Sequence, residues 1–426
     1  MNSSKVGNLI IEELSGQYGL GLAAEPYDKN KTRYLRISDI DDSGNLLNSD
    51  LKSVSGEGIE NYLLEENDFV VARTGNSTGR TYVYSKEDGA MAYAGFLIKY
   101  VFDDKRINPR YMKYYPLSSI YKKQIAGYSG STRGNMNAQD FKNIIVIYPD
   151  RQKQDDMVTL LDSITKKIAN NNKISAELEG LAKTIYDYWF LQFEFPNEEG
   201  KPYKSFGGKM VYNEELKREI PEGWMVRSIK DCIEHINTGL NPRDNFVLND
   251  KKEVKYITVK NLTTEGTLDF SGCDYISFKT KELVNRRSQI QKGDILFASI
   301  APLGRCYLIE ETPKDWEINE SVFSIRPDLD TISAEYLYMF FMSDWFIKKA
   351  EHSSTGSVFS GIRVSVLEDT KILVPDEVTT KRFSEKVSSI MNIKFNKEKE
   401  NQQLASLRDW LLPMLMNGQV AFKESL

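Results

Sequence analysis

Long apolar runs are absent from this sequence of 426 residues, and no stretch approaches the about 20 residues that a membrane-spanning helix needs. The first residues, 1–7, also lack the apolar segment of a secretory signal peptide. Cysteine is rare: the chain has three, without C-x-x-C spacing, which argues against a zinc site and fits a reducing compartment. From these absences we expect a cytoplasmic protein.

Catalytic signatures are scarce as well. The chain has only His235 and His352, so we expect neither a histidine-based triad nor a metal cluster. No G-x-x-x-x-G-K-[ST] loop is present. Residues 19–24 match the dinucleotide pattern G-x-G-x-x-A, but Pro26 follows almost at once, so the segment cannot open a helix, and no clear strand precedes it. We therefore expect no nucleotide site there. We therefore expect no cofactor, no metal and no catalytic residue in this chain.

The charge balance is mildly acidic. The net charge is −5 and the sequence pI is near 5.5, whereas a free-standing DNA-binding domain usually has a basic surface. A nucleic-acid partner is not excluded, because charges can be segregated or another subunit can supply part of the phosphate contact. The length and the 40% hydrophobic content fit a globular protein of roughly two to four domains.

What the sequence does contain is a long internal repeat. Residues near 34–193 and near 256–418 follow one order of elements. Landmarks lie 226 positions apart, since Pro149 and Pro375 each end an apolar run and Asp68 and Asp294 each precede one. A period this long indicates a duplicated domain, because solenoid repeats are much shorter. We expect the two copies to contact two similar targets.

Each copy mixes strands and helices. The strand-like segments 34–37 and 256–259 each precede a turn, and further strands follow. An aromatic-rich helix comes later in each copy, at 111–123 and at 336–349. Because strands and helices do not alternate strictly, we predict two α+β domains of mixed α/β content.

A long helix follows each of the two paired prolines, at about 151–191 and 377–416. In a heptad that starts at Met157, apolar side chains recur at the first and fourth positions, and the pattern returns 226 residues later. Each helix could pack on its own domain alone, but two apolar seams favour pairing of the helices, with central polar residues fixing their register. The residues expected at the seam are Ile164, Asn171, Leu178, Leu181, Ile185, Phe383, Ile390, Lys397, Leu404, Leu407 and Leu411.

A connector lies between the copies, at 193–224. It has turn residues but is too aromatic to be disordered, so we expect it to pack on the helices. The predicted organisation is a first mixed domain at 1–150, a long helix at 151–192, the connector, a second mixed domain at 225–376, and a second long helix with its tail at 377–426.

One motif resembles a catalytic signature. Asn108-Pro109-Arg110-Tyr111 is close to the Asn-Pro-Pro-Tyr motif of amino-methyltransferases, but its counterpart in the second copy is Ser333-Ala334-Glu335-Tyr336. Asn and Ser are both good N-caps, and proline is favoured at the first helical position. We interpret both segments as helix starts.

The remaining chemistry is that of binding. Arginine and asparagine lie in loops rich in glycine, serine and threonine, and these side chains recognise guanine and adenine edges, while lysine and backbone N–H groups hold phosphates. The strands agree between the copies, but the loops differ in length and chemistry, which indicates two different targets. The DNA-binding candidates are Arg36, Arg73, Asn76, Arg80, Arg133, Asn135, Arg243, Lys260, Asn261, Arg305 and Arg363.

With these features the chain resembles the specificity subunit of type I restriction-modification systems, over essentially its whole length. The most specific stretches are the ends of the two helices, Leu178-Glu179-Gly180-Leu181-Ala182 onward to Phe190 and Leu404-Ala405-Ser406-Leu407-Arg408 onward to Gly418. A third is the restart Ile220-Pro221-Glu222-Gly223-Trp224 between the copies.

The resemblance implies a function. Two target recognition domains would each recognise half of a split, asymmetric DNA site. The helices would form an antiparallel coiled coil that sets the spacing and docks two methyltransferase subunits, and two restriction subunits could join. S-adenosylmethionine would be bound by the methyltransferase, so this chain would be non-catalytic. The acidic pI departs from the pattern.

Two alternatives stay open from the residues alone. The chain could be an adenine DNA methyltransferase in its own right, which methyl transfer without a partner would reveal. It could also be a coiled-coil scaffold that binds only proteins, and sequence-specific DNA retardation would exclude that function.

Overall fold

The protein is described by a computed structural model over residues 1–47, 50–129, 135–270, 272–300, 304–354, 361–416 and 419–420, with backbone only at 129 and 351–354. The chain forms two compact units. Unit 1 comprises Met1–Ile168 and Gln402–Leu426, and unit 2 comprises Ala169–Asn401. Each unit therefore contains one copy of the repeat together with parts of both long helices.

Unit 1 contains two four-stranded sheets and a strand pair that joins Asn2–Lys5 to Ile145–Tyr148. The middle strand Phe69–Ala72 is buried at every position, as its run of apolar residues requires. One sheet has the order Gln17–Tyr18, Leu97–Tyr100, Phe69–Ala72, Thr81–Val83. The other has the order Glu25–Pro26, Lys52–Val54, Thr32–Leu35, Met91–Tyr93.

Unit 2 repeats this arrangement, with Met225–Ser228 paired to Lys371–Val374. It adds a hairpin of Met210–Asn213 and Arg218–Pro221 from the connector. Its four-stranded sheet has the order Ile233–Thr238, Val322–Pro327, Ile295–Ala298, Cys306–Leu308. Its three-stranded sheet has the order Asp274–Ile276, Val254–Ile257, Trp316–Ile318. The α+β prediction is confirmed, and the repeat extends further towards the N-terminus than the sequence suggested.

The repeated aspartates stabilise the turn before the buried strand. Asp68 accepts a hydrogen bond from the Glu65 N–H at 2.9 Å, and Asp294 accepts one from the Gln291 N–H at the same distance. Lys99 lies 3.5 Å from Asp68, whereas in unit 2 an arginine, Arg326, contacts Asp294 at 2.7 Å. The landmarks that revealed the repeat are therefore structural residues.

The aromatic-rich helices are shorter than predicted. In unit 1 the helix breaks near Pro116, which has no N–H to continue the ladder. In unit 2 it breaks at Ser343, whose hydroxyl donates to the Phe340 carbonyl and accepts from the Phe346 N–H. The shorter α-helices are Tyr111–Tyr114, Ser119–Ser129, Ala138–Lys142, Phe278–Ser288, Ala334–Phe341, Asp344–Ser354 and Val364–Glu368. The 3-10 helices are Val6–Asn8, Glu12–Leu14, Ile37–Asp39, Ile59–Tyr62, Gly75–Ser77, Lys86–Asp88, Tyr115–Leu117, Ile229–Asp231 and Val259–Asn261.

Two long helices are present, as predicted. The first spans Arg151–Tyr186 and continues into one π-helical turn, Asp187–Leu191, and the second spans Glu377–Met416. Within unit 2 they contact each other at three levels, and the residue numbers rise along one helix as they fall along the other. Asn171 donates to Glu400 and Asn401 at 2.9 Å, Glu179 lies 2.7 Å from Lys394, and the Tyr186 and Phe383 ring centroids are 6.2 Å apart.

Burial along the two helices agrees with the predicted heptad at some positions and departs from it at others. Asn171 and Phe383 are fully buried, but Leu181 and Leu407 are 49% and 44% exposed. The buried second stripe lies one residue later, as at Ala182. The reason is that each helix also covers a domain core, so its apolar face is wider than a two-helix seam. Of the other predicted seam residues, Ile164 is buried and Leu178, Ile185, Ile390, Lys397, Leu404 and Leu411 are half-buried.

The connector packs on the helices of unit 2, as expected. Phe193, Phe195 and Trp224 are buried in one apolar cluster with Phe190 and Phe383. The Trp224 indole N–H donates to an Asp376 carboxylate oxygen at 3.0 Å. This aromatic cluster fixes the start of the second copy against the helix ends.

Within the ranges described, no helix is both long and apolar enough to cross a membrane. The same ranges contain no group of three His, Cys, Asp or Glu side chains placed to hold a metal ion.

Candidate nucleic-acid interface

A cleft of about 660 Å³ opens on unit 1 where the two sheets meet. The segment after Gly19 forms one wall, because the Leu20 N–H donates to the Tyr93 carbonyl at 2.9 Å and the Leu20 carbonyl accepts from Gly95. Arg36, Arg73, Tyr34 and Phe96 are among the residues that form the other walls. Two arginine candidates from the sequence therefore share one cleft.

The first glycine of the 19–24 pattern lets this wall pack closely against the neighbouring backbone. A Cβ at Gly19 would lie 2.3 Å from the Ala94 carbonyl oxygen, so only glycine fits there. Unit 2 has the same close approach, since a Cβ at Gly239 would lie 1.8 Å from the Ile318 carbonyl oxygen. No helix begins at 19–24, as the nearby Pro26 predicted.

Arg73 is the strongest candidate in this cleft. It follows the buried strand Phe69–Ala72, and its guanidinium carbon lies 5.0 Å from the centre of the Tyr18 ring. Its Nε is buried and finds no hydrogen-bond partner in the part of the chain that the structure describes. Phe96 lies beside it with 58% of its surface exposed. The rest of the guanidinium has no ion pair among the described residues, so it can contact a base edge while the exposed Phe96 ring stacks on a base.

Two asparagine candidates flank this arginine. Asn76 and Asn135 are exposed, and Asn135 is bridged through its backbone to Thr74. Asn76 follows Arg73 in the sequence, and Asn135 lies beside it through the pairing with Thr74. At the surface, an asparagine side chain can present its amide to adenine. Arg133 lies outside the described residues.

Two other arginines are engaged within the domain. Arg36 contacts Asp39 at 2.6 Å and Asp50 at 3.2 Å, and these carboxylates, Asp39 first, raise its pKa. Arg80 contacts Asp42 at 2.7 Å and donates to the Ile40 carbonyl. Their charges are largely compensated, so they order the loops more than they attract phosphate.

The prediction for Asn261 is wrong. This residue is 1% exposed, accepts from the Thr258 N–H at 2.9 Å and donates to the Asp269 carbonyl at 2.9 Å. It has the same role as Asp39 in unit 1, which accepts from the Arg36 N–H at 2.8 Å. Its polar atoms are occupied inside the turn, because an unpaired buried amide would be costly.

The motif that resembles a methyltransferase signature is also structural. The Asn108 side chain accepts from the Arg110 N–H at 2.8 Å and donates to Asp155 at 2.7 Å. Ser333 caps its helix by accepting from the Tyr336 N–H at 3.2 Å. The helix-start interpretation is confirmed for both copies.

Unit 2 presents other candidates. Arg243, Lys260 and Arg363 are exposed, and Lys260 lies in the 3-10 helix Val259–Asn261. Arg305 has a buried Nε without a hydrogen-bond partner among the described residues, like Arg73 in unit 1. Among the described residues, each unit therefore has an arginine whose buried Nε lacks a hydrogen-bond partner.

Backbone hydrogen bonds identify which residues correspond. The Arg73 N–H donates to Phe96 at 3.0 Å, and the Ser299 N–H donates to Ser321 at 3.1 Å. The Met136 and Ile362 N–H groups donate to the Arg73 and Ser299 carbonyls, each at 2.8 Å. Arg73 and Phe96 of unit 1 therefore correspond to Ser299 and Ser321 of unit 2.

The sequence pattern missed Tyr18 and Phe96. Phe96 lies between Gly95 and the strand Leu97–Tyr100, and its exposure results from that tight turn. A large aromatic directly after glycine, with a serine at the matched position of the other copy, was the signal that could have identified it.

Comparison with known families explains this arrangement. Residues 21–180 and 221–406 match the family model of the type I restriction modification DNA specificity domain. The chain belongs to that family. It is thus a specificity subunit, a component that directs a methyltransferase and restriction complex and has no catalytic role of its own.

Individual relatives agree. The chain is 25% identical over 320 residues to the type I restriction enzyme MjaIX specificity subunit of Methanocaldococcus jannaschii. The alignment covers 72% of this chain and 67% of that protein. It is 22% identical to the MjaVIII specificity subunit of the same organism, over 100% of this chain and 91% of that protein. The crystal structure of a type I restriction-modification S subunit from M. genitalium has a TM-score of 0.53 and 15% identity, covering 97% of this chain and 95% of that one, and so shares the fold.

Proposed function

We propose that this specificity subunit recognises a bipartite, asymmetric DNA sequence, and that each recognition fold contacts one half of it. The observation that carries the proposal is the match of backbone hydrogen bonds between the units, combined with the mismatch of the side chains at the corresponding positions. A shared framework presents the same surface to a duplex, and unlike side chains select unlike bases.

The charge distribution supports a shared contact with DNA. The chain as a whole is acidic, but Arg73, Arg243, Lys260 and Arg363 have no ion pair among the residues described, and they lie in the loop regions. Phosphate neutralisation by these few cations is modest, so a partner subunit supplies the rest of the electrostatic attraction. Tight binding is therefore expected for the complex and weak binding for the isolated chain.

The two long helices are proposed to form an antiparallel coiled coil that sets the distance between the half-sites. Support comes from the reversed order of contacts within unit 2, where Asn171 contacts Glu400 and Asn401, and Tyr186 contacts Phe383. A buried asparagine at the first heptad position is a known device for fixing register. Lengthening both helices by one heptad adds about 10 Å of rise, or roughly three base pairs of spacer.

Docking of two methyltransferase subunits is proposed for the exposed leucines of the helices. Leu181 and Leu407 lie 226 positions apart, and both are close to half exposed instead of buried in the seam. A large apolar side chain repeated on the outside of two helices fits two equivalent contacts with one kind of partner. S-adenosylmethionine binds to that partner in this proposal, two restriction subunits can join, and the complex functions in the cytoplasm, where its DNA is.

The two arginines with unsatisfied donors provide the test. Arg73→Ala and Arg305→Ala, each co-purified with the methyltransferase subunit, are used to select bound sequences from a randomised DNA library. We expect Arg73→Ala to relax the sequence of one half-site and Arg305→Ala that of the other, each with about a tenfold loss of affinity. Each variant is the matched control for the other.

Other results would contradict the proposal. If both variants relaxed the same half-site, the two folds would not divide the recognition. Sequence-independent binding by the unmodified complex would favour a protein scaffold. Methyl transfer by the purified chain alone would favour an independent methyltransferase.

A further inference from the structure

A second cavity, of about 160 Å³, lies in unit 2 away from the recognition loops. Five aromatic side chains line it, from the end of the first long helix (Tyr186, Phe190) and from the segment around Tyr336, Phe340 and Trp345. An apolar cavity of about 150 Å³ is large enough for a benzene ring. The cavity therefore matches a ring-sized group.

Two positively charged side chains line the cavity, and one of them is uncompensated. Arg218, from the connector hairpin, lines the cavity, and its guanidinium carbon lies 5.0 Å from the centre of the Phe193 ring. No carboxylate among the described residues forms an ion pair with it, and burial lowers the pKa of Arg218. Lys371 also lines the cavity, but Glu215 lies 3.2 Å from it and compensates its charge. A half-buried arginine without an anion is costly, since buried charges are normally paired.

The backbone next to the cavity is unusual. The first long helix ends there in a π-helical turn, Asp187–Leu191, and π-turns are frequent at functional sites. Phe193 follows with a φ of 65°, a left-handed conformation that a phenylalanine rarely adopts. Such strain persists only when the surrounding packing maintains it, and it is concentrated at ligand sites.

We propose that this cavity binds a carboxylate attached to a ring-sized apolar group, with Arg218 pairing the carboxylate. A guanidinium fork matches a planar carboxylate bidentately, and the aromatic walls contact the ring. A phosphate ester fits less well, because it is strongly hydrated and needs several donors, whereas the cavity offers one uncompensated cation. Trp345 and Leu191, which are 46% and 41% exposed, mark its mouth.

Two sources can supply this chemistry: a free aromatic acid, or the C-terminal residue of a polypeptide. Among the residues that the structure describes, the connector hairpin that carries Arg218 lies in unit 2. The proposed site goes beyond DNA recognition and does not depend on it.

The test uses the full chain and ligand-observed NMR titrations. Benzoate is compared with benzamide, its neutral match, and an acetylated peptide ending in phenylalanine is compared with its C-terminal amide. We expect benzoate to bind at least tenfold more tightly than benzamide, and Arg218→Gln to remove that difference. Arg218→Lys should retain part of it. Lys230→Gln, at an exposed lysine paired with Asp369 and outside the cavity, is the matched control and should bind like the unmodified chain.

The comparison of benzoate with benzamide on the unmodified chain holds even if Arg218→Gln fails to fold. Equal affinities for the acid and the amide would overturn the proposal, as would unchanged benzoate binding by folded Arg218→Gln, or no binding of either acid. Tighter binding of the peptide acid than of benzoate would assign the site to a polypeptide terminus, and the reverse order would assign it to a small aromatic acid.

Discussion

The two recognition folds of this chain have the same framework and different surfaces. In unit 1, Arg73 and Phe96 occupy positions that Ser299 and Ser321 occupy in unit 2, although the backbone hydrogen bonds at these positions correspond one to one. Conversely, Asp39 and Asn261 differ in charge but serve the same turn. The two units therefore differ at side chains that the shared framework does not use, and a residue type in a loop does not reveal whether it belongs to the framework.

The largest difference within the framework concerns the repeated aspartates. Asp294 is fully buried and paired with Arg326 through two hydrogen bonds, at 2.7 and 2.9 Å, whereas Lys99 lies 3.5 Å from Asp68. We expect Asp294→Ala to lower the free energy of unfolding by about 4 kcal/mol, because it leaves a mostly buried arginine unpaired. Asp68→Ala should cost about half as much, since burial raises the pKa of Asp68 and its charge is poorly compensated. Urea denaturation of both variants measures the difference, and equal losses would contradict it.

The wall glycines, Gly19 and Gly239, should tolerate substitution by alanine equally poorly in the two units. Gly19→Ala and Gly239→Ala each place a Cβ within 2.3 Å of a backbone carbonyl oxygen, and we expect losses of about 2–3 kcal/mol in the free energy of unfolding. Gly21→Ala is the matched control, because nothing lies within 4 Å of the added Cβ. Thermal unfolding monitored by circular dichroism checks this prediction. A Gly19→Ala protein as stable as Gly21→Ala would show that the close approach does not constrain the fold.

The exposed leucines test whether the helices present two equivalent surfaces. Leu181→Glu and Leu407→Glu should each weaken one methyltransferase contact at least tenfold, because the contact would lose about 1.5–3 kcal/mol of apolar burial and gain a charge. Native mass spectrometry should detect one bound methyltransferase in each variant and none in the double variant. Ser406→Glu, at an exposed neighbour of Leu407, is the control and should keep two. Two bound copies in either leucine variant would show that the substituted leucine does not dock a methyltransferase subunit.

A smaller difference between the helices concerns how the stability of the fold depends on pH. Glu398, in the second helix, has its pKa raised to about 7 by burial and by Glu179 and Glu310, against the opposing effect of Lys394. The folded state thus binds this proton more tightly than the unfolded state, so stability rises as pH falls from about 8 towards 5. We expect about 1 kcal/mol between pH 8 and pH 5.5, since the side chain keeps some solvent contact.

Glu398→Gln should remove that pH dependence and be more stable than the unmodified chain at pH 8. The position 226 residues earlier is Asn172, so Asn172→Gln is a matched variant in the first helix and should leave the pH profile unchanged. Denaturation at the two pH values measures both. An unaltered profile in Glu398→Gln would show that other groups cause the dependence.

The sequence predicted the duplication, the two long helices and the mixed domains, because each depends on patterns that the chain itself repeats. It did not predict the exposure of Leu181 and Leu407, because hydrophobic periodicity gives a helix face but not how many neighbours cover it. The short N-terminal strand Asn2–Lys5 was also missed, since its polar residues form a strand only through pairing with Ile145–Tyr148. For the loops, composition suggested Arg73 and Asn261 equally, and only their hydrogen bonds distinguish them.

The most direct test of divided recognition is an exchange of residues 1–150 for the corresponding segment of another specificity subunit, followed by mapping of methylated adenines in cells that express the chimera with the methyltransferase. We expect one half of the methylated sequence to change, while the other half and the spacer stay as in the unmodified system. A change in both halves, or in neither, would contradict divided recognition.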